Sequence, residues 1–421
     1  MTTAEIRAIG ERAQAMIDAL AEITAEPGRM TRLFLSPEHK RAADLVGTWM
    51  RRAGMAVRMD AVGTMHGLVS GGGEGPQAAK RLLVGSHLDT VIDGGRYDGT
   101  LGVVAAILAV EEIRARGIAL PFAVEVLAFG DEEGVRFPKT LVSSSAIAGT
   151  VEPSVLDHTD ASGMTMRAAL AAFGGDPEHL AAEAYRRPDV VGFLEVHIEQ
   201  GPVLERSGQP LGVVTAIASQ GRYRVRVTGE AGHAGTVPMA IRHDALAGAA
   251  EIMSMVEDIA RKGARASLVA TVGEIRAIPG ASNVIPGTTE FSLDVRASDD
   301  ASRAEAVADM RGRARQIGAR RGLVVGIETV QEKPVVPCAT RLRGAIAKAV
   351  VSLIGQAPPA LMSGAGHDGQ AMIHLTDIGM IFVRCRAGIS HNPLEHVSID
   401  DMGLAVETLV GTIVELGGEG E

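Results

Sequence analysis

The chain has 421 residues, of which 46% are hydrophobic, 22% charged and only 3% aromatic, and its formal net charge is −10. The negative charge and the scarcity of aromatic rings argue against nucleic acid as a partner, because phosphate binding needs a basic face and base stacking needs rings. No apolar run approaches the roughly 20 residues that span a bilayer, so no transmembrane segment is expected. At this length two domains are expected.

The N-terminal segment and the cysteines indicate the cellular compartment of the protein. Residues 1–20 place apolar side chains at helical spacing with acids between them, unlike the basic region and continuous apolar run of a secretory signal. Cys338 and Cys385 both lie beside apolar residues and are too few for a disulfide scaffold or a thiolate zinc site. We therefore predict a cytoplasmic protein with buried, inert thiols.

The first 212 residues alternate between helical and strand patterns. Helices are predicted at 1–20, 38–54 and 101–117, a polar helical region at 152–187, strands at 55–71, 81–87, 122–130 and 191–199, and a glycine-rich linker at 70–77. Near-continuous apolar strands separated by helices are typical of a mainly parallel sheet covered on both faces. Residues 1–212 are therefore predicted to be the first part of an α/β catalytic domain.

The pattern changes between residues 213 and 328. Strands are predicted at 222–230, 267–278, 288–297 and 323–330, and helices at 243–263 and 299–322. The order β-α-β-β-α-β is that of a ferredoxin-like split βαβ unit. Helix and strand patterns of the first kind resume in residues 329–421, so we predict a smaller domain, 213–328, inserted into the α/β domain.

Candidate metal ligands stand at or just beyond the ends of four apolar strands. Because sites in open α/β sheets form outside the carboxyl ends of the strands, these dispersed side chains are expected to converge on one crevice. In chain order they are His87 and Asp98, Glu132 and Glu133, His197, and His391.

Histidines and carboxylates without a thiolate suit Zn²⁺, Mn²⁺, Co²⁺ or Ni²⁺. A carboxylate can bridge two ions about 3.5–4 Å apart, and Asp98 lies in a glycine-rich turn whose small residues let ions approach. The two-residue spacing of His87 and Asp89 allows Asp89 to hold the imidazole. Of the adjacent Glu132 and Glu133, one can bind metal while the other acts as general base, and spacing alone does not say which.

Each of these residues also has a structural interpretation when it is taken alone. A histidine at a strand end is more often a hydrogen-bonded structural residue than a ligand. A carboxylate pair in a loop usually faces solvent or caps the following helix, which fits Asp131 as well, and Asp93 is predicted to be a turn residue. Their joint occurrence at successive strand ends is what favours a metal site.

Six segments in order resemble the amidase, hydantoinase and carbamoylase branch of the di-metal aminoacylase and carboxypeptidase superfamily: "GSHLDTV…GGRYDG", "GDEEGVRFP", "EVHIEQGP", "GEAGHAGTVPM", "SGAGHD" and "GISHNP". The branch includes N-carbamoyl-L-amino-acid amidohydrolases, β-ureidopropionase-like enzymes and allantoate amidohydrolases. The resemblance implies two divalent ions that share Asp98, with Glu132 as general base. The other implied ligands are His87 and His197 for one ion, and Glu133 and His391 for the other.

The resemblance also implies that the inserted domain forms a homodimer and acts as a lid. Three of its polar residues would bind the substrate carboxylate and the developing oxyanion, namely His233, Asn283 and Arg296. His233 would act in its own subunit or in the other one. Taken alone they could equally be a loop donor, a turn former and an exposed strand-end charge. Further candidates for substrate contact are Gln200, Gln220, Arg222 and His367.

The implied reaction is hydrolysis of the terminal ureido group of a small carboxylate, releasing ammonia and carbon dioxide. Allantoate is the leading substrate, with N-carbamoyl-L-amino acids or N-carbamoyl-β-alanine as the alternative and an aminoacylase or dipeptidase activity as a more distant one. A binding or assembly protein that has lost its metals is a rival of another class. Retention of all five proposed ligands and the base argues against it.

Overall fold

The computed structural model describes residues 1–72, 80–263 and 267–418, and most of the predicted linker 70–77 lies outside these ranges. The chain forms two compact units, one built from Met1–Thr215 and Pro337–Glu421 and the other from Ala216–Val336. The second unit is therefore an insertion in the chain of the first.

The first part of the larger unit begins with helices that polar side chains cap. Its elements are α1 (Thr3–Ala21), α2 (Pro37–Arg52), β1 (Ala56–Met59), β2 (Met65–Val69), β3 (Arg81–His87), α3 (Thr100–Ala115), β4 (Ala123–Phe129), α4 (Val142–Ile147), α5 (Met166–Phe173), β5 (Val190–Ile198), α6 (Val203–Arg206) and β6 (Leu211–Ile217). Thr2 and Ser36 accept backbone N–H groups at the starts of α1 and α2. The prediction of a helical region at 152–187 is largely wrong. Only α5 and short 3₁₀ turns form there, because glycines and prolines interrupt the segment.

In its described residues the insertion has two α-helices, a five-stranded antiparallel sheet and a separate pair of short strands. Its elements are β7 (Ser219–Thr228), β8 (Gly232–His233), α7 (Ala245–Lys262), β9 (Val269–Thr271), β10 (Ile275–Ile278), β11 (Val284–Ile285), β12 (Thr288–Ala297), α8 (Asp300–Arg321) and β13 (Val324–Lys333). The strand order is β10-β12-β7-β13, with β9 also paired to β12, and the separate pair is β8 and β11. This is the predicted ferredoxin-like order, except that the strand predicted at 267–278 is split into β9 and β10. Between them the N–H groups of Gly273 and Glu274 bond to the Ser292 hydroxyl.

The second part of the larger unit completes its sheet. Its elements are β14 (Val336–Pro337), α9 (Thr340–Ile354), β15 (Ala360–Ser363), α10 (Gly369–Met372), β16 (Ile378–Val383) and α11 (Ile399–Gly418). The sheet has the order β1-β2-β4-β3-β5-β16-β6-β14, with β15 paired to β6. The unit boundaries follow Thr215 and Val336, which is three and eight residues beyond those predicted at 212/213 and 328/329. The reason is that β6 pairs with β16 of the larger sheet, whereas β13 pairs with β7 up to Lys333.

Four neighbouring strands, β4, β3, β5 and β16, are mutually parallel. Their residues are almost all buried, and α3 packs on β3, β4 and β5 while α9 packs on β16. This confirms the mainly parallel α/β fold, and it brings the carboxyl ends of the four strands to one edge of the sheet. Across the described ranges, no helix has the length and hydropathy of a membrane span.

A buried charge network holds the antiparallel edge of this sheet. The ring nitrogens of His66 lie 2.8 Å from Oε1 of Glu125 and 3.0 Å from Oδ2 of Asp60. Glu125 also accepts hydrogen bonds from Arg81 and from the Tyr185 hydroxyl. Desolvation raises the pKa of Glu125, but the bonds from His66, Arg81 and Tyr185 outweigh it and bring the pKa down to about 2.

Replacing Glu125 with glutamine is expected to lower the free energy of unfolding at pH 7 by about 3–5 kcal/mol, because it breaks a buried ionic network. The folded-state pKa of Glu125 lies below its ordinary value of 4.5. Its contribution is therefore complete above pH 4.5 and is lost as the pH falls towards 2. Urea unfolding of both proteins between pH 7 and pH 3 checks this, and the difference in stability should shrink at the acidic end.

The control for this experiment is Glu111→Gln, which removes a solvent-exposed ion pair with Arg12. Exposed pairs contribute little, so this variant should unfold like the wild type. A stability difference for Glu125→Gln that stays constant from pH 7 to pH 3 would contradict the role assigned to its charge.

Candidate metal centre

Two histidines meet one oxygen of Asp98 at the carboxyl ends of β3 and β5. His87 is the last residue of β3, and His197 lies one residue before the end of β5. Their Nε2 atoms lie 3.6 Å and 3.1 Å from Oδ1 of Asp98. All three residues are buried.

The other oxygen of Asp98 faces a second group. Nε2 of His391, in the loop after β16, lies 3.3 Å from Oδ2 of Asp98 and 3.4 Å from Oε2 of Glu133, in the loop after β4. In each group the potential ligand atoms lie within 4.8 Å of one another. Asp98 therefore belongs to both groups and presents one oxygen to each.

The close approach of the Asp98 loop to β3 depends on Gly99. This residue has a φ of 63°, and a Cβ added to it would lie 2.4 Å from the ring of His87. A side chain at position 99 would thus both strain the backbone and displace the imidazole. Asp93, in the same loop, has a φ of 55° in a turn, as the sequence indicated.

Backbone carbonyl groups orient the two buried histidines. Nδ1 of His87 donates to the carbonyl of Asp89 at 3.0 Å, and Nδ1 of His197 donates to the carbonyl of Ile198 at 2.9 Å. The Nε2 lone pairs are then free to bind a cation. Among the residues that the structure describes, Nε2 of His87 has no hydrogen-bond partner although it is buried, and this orphaned atom fits a metal ligand.

Asp89, two residues after His87, connects the end of β3 to the loop that contains Glu132 and Glu133. Its carboxylate lies 3.4 Å from Nδ1 of His87, so the nearer partner of that imidazole is the backbone carbonyl. The two carboxylate oxygens instead accept the N–H groups of Glu132 and Glu133, each at 3.1 Å. Asp89 thus fixes the position of both glutamates relative to β3.

The surroundings of the site shift the pKa values of its carboxyl groups in opposite directions. Burial, aided for Glu133 by the charge of Asp98, raises the pKa of Glu132 and brings that of Glu133 to about 7. Burial also opposes ionisation of Asp98, but the neighbouring histidines, His197 first among them, outweigh it and hold the pKa well below its usual range. Nitrogen lone pairs beside such carboxylates fit divalent cations.

Several polar residues surround the candidate ligands in ways that the sequence did not indicate. Ser390 and Gln200 each donate to Oδ2 of Asp98 at 2.8 Å, although the sequence suggested that Gln200 contacts substrate. Glu195 and Asp368 are buried close to the ligands. Glu195 could have been found, because it lies two residues before His197 on the same face of β5.

His367 lies beside a proposed ligand. Its ring centroid is 4.4 Å from that of His197, its Nε2 lies 2.6 Å from the Ser363 hydroxyl, and it is fully buried. Burial lowers the pKa of His367, so its ring is neutral. His367 therefore lies next to the candidate ligands, within the larger unit.

The predicted substrate residues of the insertion fall into two sets. His233 on β8 and Asn283 lie side by side, since Val284 of β11 pairs with His233, and both are exposed. Gln220, Arg222 and Arg296 surround a residue that was missed, Asp294. The signal was available, because Asp294 precedes Arg296 by two residues and so lies on the same face of β12.

The chain is similar to known proteins over most of its length. The model of "Peptidase family M20/M25/M40" matches residues 83–415. An allantoate deiminase of Arabidopsis thaliana is 43% identical over 94% of this chain and 80% of its own length. An N-carbamoyl-L-amino-acid amidohydrolase of Pseudomonas sp. (strain NS671) is 39% identical over 96% and 98%. The crystal structure of a hydantoinase/carbamoylase family amidase from Burkholderia multivorans superposes with a TM-score of 0.89 at 31% identity, covering 97% of this chain and 98% of that one.

Proposed function

Because this chain belongs to peptidase family M20/M25/M40, we propose that it is a hydrolase that cleaves the terminal ureido group of a small carboxylate. Relatives named as allantoate deiminases and as N-carbamoyl-L-amino-acid amidohydrolases support this reaction class. Allantoate is the leading substrate and an N-carbamoyl-L-amino acid the alternative. The proposed products are ammonia, carbon dioxide and an amine.

The observation that carries the proposal is the division of Asp98 between two ligand groups. We assign His87 and His197 to one divalent ion, Glu133 and His391 to the other, and Asp98 to both. Zn²⁺, Mn²⁺, Co²⁺ and Ni²⁺ all suit this set of nitrogen and oxygen donors. When bound, the ions would activate water at neutral pH and stabilise negative charge on the substrate oxygen.

Glu132 is the proposed general base. It is fixed by its N–H bond to Asp89, and its Oε2 lies 3.9 Å from Nε2 of His87, beside the ligands but outside both groups that contain Asp98. Its carboxylate would take a proton from the attacking water and pass it to the leaving nitrogen as the C–N bond breaks. Burial, which raises its pKa, suits a group that must first accept and then release a proton.

The insertion is proposed to bind the rest of the substrate, to close as a lid and to form a homodimer in the cytoplasm. His233 and Asn283 would stabilise the developing oxyanion, and Arg296 would bind the substrate carboxylate. Further proposed contacts are Gln220 and Arg222 of the insertion and Gln200 and His367 of the larger unit.

Replacing Arg296 with alanine is expected to raise KM by about 10- to 100-fold with a smaller effect on kcat, because a charge-assisted bond to the substrate carboxylate is lost. Initial rates over a range of substrate concentrations measure both constants. Arg226→Ala is the matched control, since Arg226 pairs with Glu290 on the same two strands. An equal rise in KM for both variants would contradict a specific role for Arg296.

The proposed function is tested by ammonia release from enzyme reconstituted separately with Mn²⁺ and with Zn²⁺. The panel contains allantoate, N-carbamoyl-β-alanine, two N-carbamoyl-L-amino acids and an N-acetyl amino acid, with Glu132→Gln as the blank. Turnover of a ureido acid that the blank lacks supports the proposal and names the substrate. Release of free amine from the N-acetyl compound alone would overturn it in favour of an aminoacylase.

A further inference from the structure

Glu395 connects the loop of one candidate ligand to the backbone of another. It lies four residues after His391 and is 4% exposed. Its Oε1 atom accepts the backbone N–H of Tyr97 at 2.8 Å and that of Asp98 at 3.0 Å. One carboxylate oxygen thus joins two segments that lie 297 residues apart in the chain.

The segment that contains His391 and Glu395 also contacts the side chain of Asp98. The hydroxyl of Ser390, which precedes His391, donates to Oδ2 of Asp98 at 2.8 Å. The backbone of Asp98 is therefore fixed by Glu395 and its carboxylate by Ser390. Because Asp98 is the residue common to both ligand groups, its position decides the geometry of both.

Gly95 makes room for this contact. A Cβ added at position 95 would lie 2.1 Å from the carboxylate of Glu395, and the three nearest atoms all belong to that carboxylate. No positive φ requires glycine here. The carboxylate of Glu395 is thus the nearest obstacle to a side chain at position 95.

We propose that Glu395 is a positioning residue that fixes Asp98 relative to His391 and thereby sets the affinity of the site for divalent cations. The proposal rests on the ligand assignment made above and extends it to a residue that binds no ion itself. Residues that orient metal ligands typically change metal affinity or activity by 10- to 100-fold when they are replaced.

The test is Mn²⁺ binding in the absence of substrate, measured by competition with a chromophoric chelator. Glu395→Ala, which removes the acceptor, is expected to weaken Mn²⁺ binding by about 10- to 100-fold. Glu395→Gln keeps an oxygen that can accept both N–H groups and is expected to restore binding to within about threefold. Asp244→Ala is the control, because Asp244 also accepts two backbone N–H groups, at the start of α7.

Gly95→Ala is a second substitution that should disrupt the contact of Glu395 with Tyr97 and Asp98. In the wild-type background it should weaken Mn²⁺ binding as Glu395→Ala does, and in the Glu395→Ala background it should add nothing, since the clash is gone. Gly95→Ala in the wild-type background keeps the proposal falsifiable if Glu395→Ala folds poorly, because unchanged Mn²⁺ affinity in that variant would also overturn it.

Additive effects of the two substitutions, or wild-type Mn²⁺ affinity in a folded Glu395→Ala protein, would overturn the proposal. A wild-type chain that binds fewer than two Mn²⁺ ions would overturn the ligand assignment and this inference with it. Two bound ions without hydrolysis of any ureido acid would overturn only the proposed function.

Discussion

Replacing Glu132 with glutamine is expected to lower kcat by about 10²- to 10⁴-fold, which is the usual contribution of a positioned general base. The amide keeps the size of the side chain but cannot accept a proton from water. KM and the content of bound metal should stay close to wild type, since Glu132 shares a possible ligand group with His87 and Glu133 but belongs to neither group that contains Asp98. Steady-state rates together with metal analysis of the purified variant check this expectation.

The adjacent Glu133→Gln variant is the informative comparison. Glu133 belongs to the group of Asp98 and His391, so its replacement should reduce the metal content as well as kcat. The two variants then differ in bound metal although they alter neighbouring residues of the same loop. If Glu132→Gln also lost an ion, Glu132 would be a ligand and the base would have to be sought elsewhere.

Replacing Asp98 with asparagine is expected to reduce metal content below two ions per chain and to lower kcat/KM by roughly 10³-fold or more. The physical reason is that Asp98 presents one oxygen to each ligand group, whereas an amide offers a single uncharged oxygen. Metal ions supply several kcal/mol of transition-state stabilisation, and each 1.36 kcal/mol is a factor of ten in rate. Metal analysis and kinetics at saturating Mn²⁺ measure the two effects.

Asp93→Asn is the matched control for Asp98→Asn. Asp93 lies in the same loop, pairs with Arg29 at the surface and has a left-handed backbone that asparagine tolerates. It should keep both ions and its activity. Retention of two ions by Asp98→Asn would show that the groups assemble without a shared carboxylate.

The strand ends show how much of the candidate site can be predicted from local sequence patterns. Apolar runs that stop at His87 and near His197 are local patterns, and the parallel sheet brings them together because parallel strands end at one edge. The same reasoning anticipated the loops of Glu132, Glu133 and His391. Local sequence was a poorer guide in residues 152–187. A polar pattern suggested a helical region there, but glycines and prolines interrupt the segment.

Contacts between distant segments could not be anticipated in this way. Glu395 follows a ligand in "SHNPLE" and looks like any loop acid, and only the fold places it against the N–H groups of Tyr97 and Asp98. Asp294 lies on the same face as Arg296 by simple alternation. Its contact with Arg222, however, depends on the register between β7 and β12.

The sequence by itself determined the α/β class, the inserted split βαβ unit and the nitrogen and oxygen character of the candidate ligands. These follow from hydrophobic periodicity, turn residues and residue type, which act over a few neighbouring positions. The tertiary structure decided which oxygen of Asp98 faces which histidines, how Asp89 holds both glutamates and what fixes the Asp98 loop. Those features depend on ångström-scale distances between segments that only the packed sheet brings together.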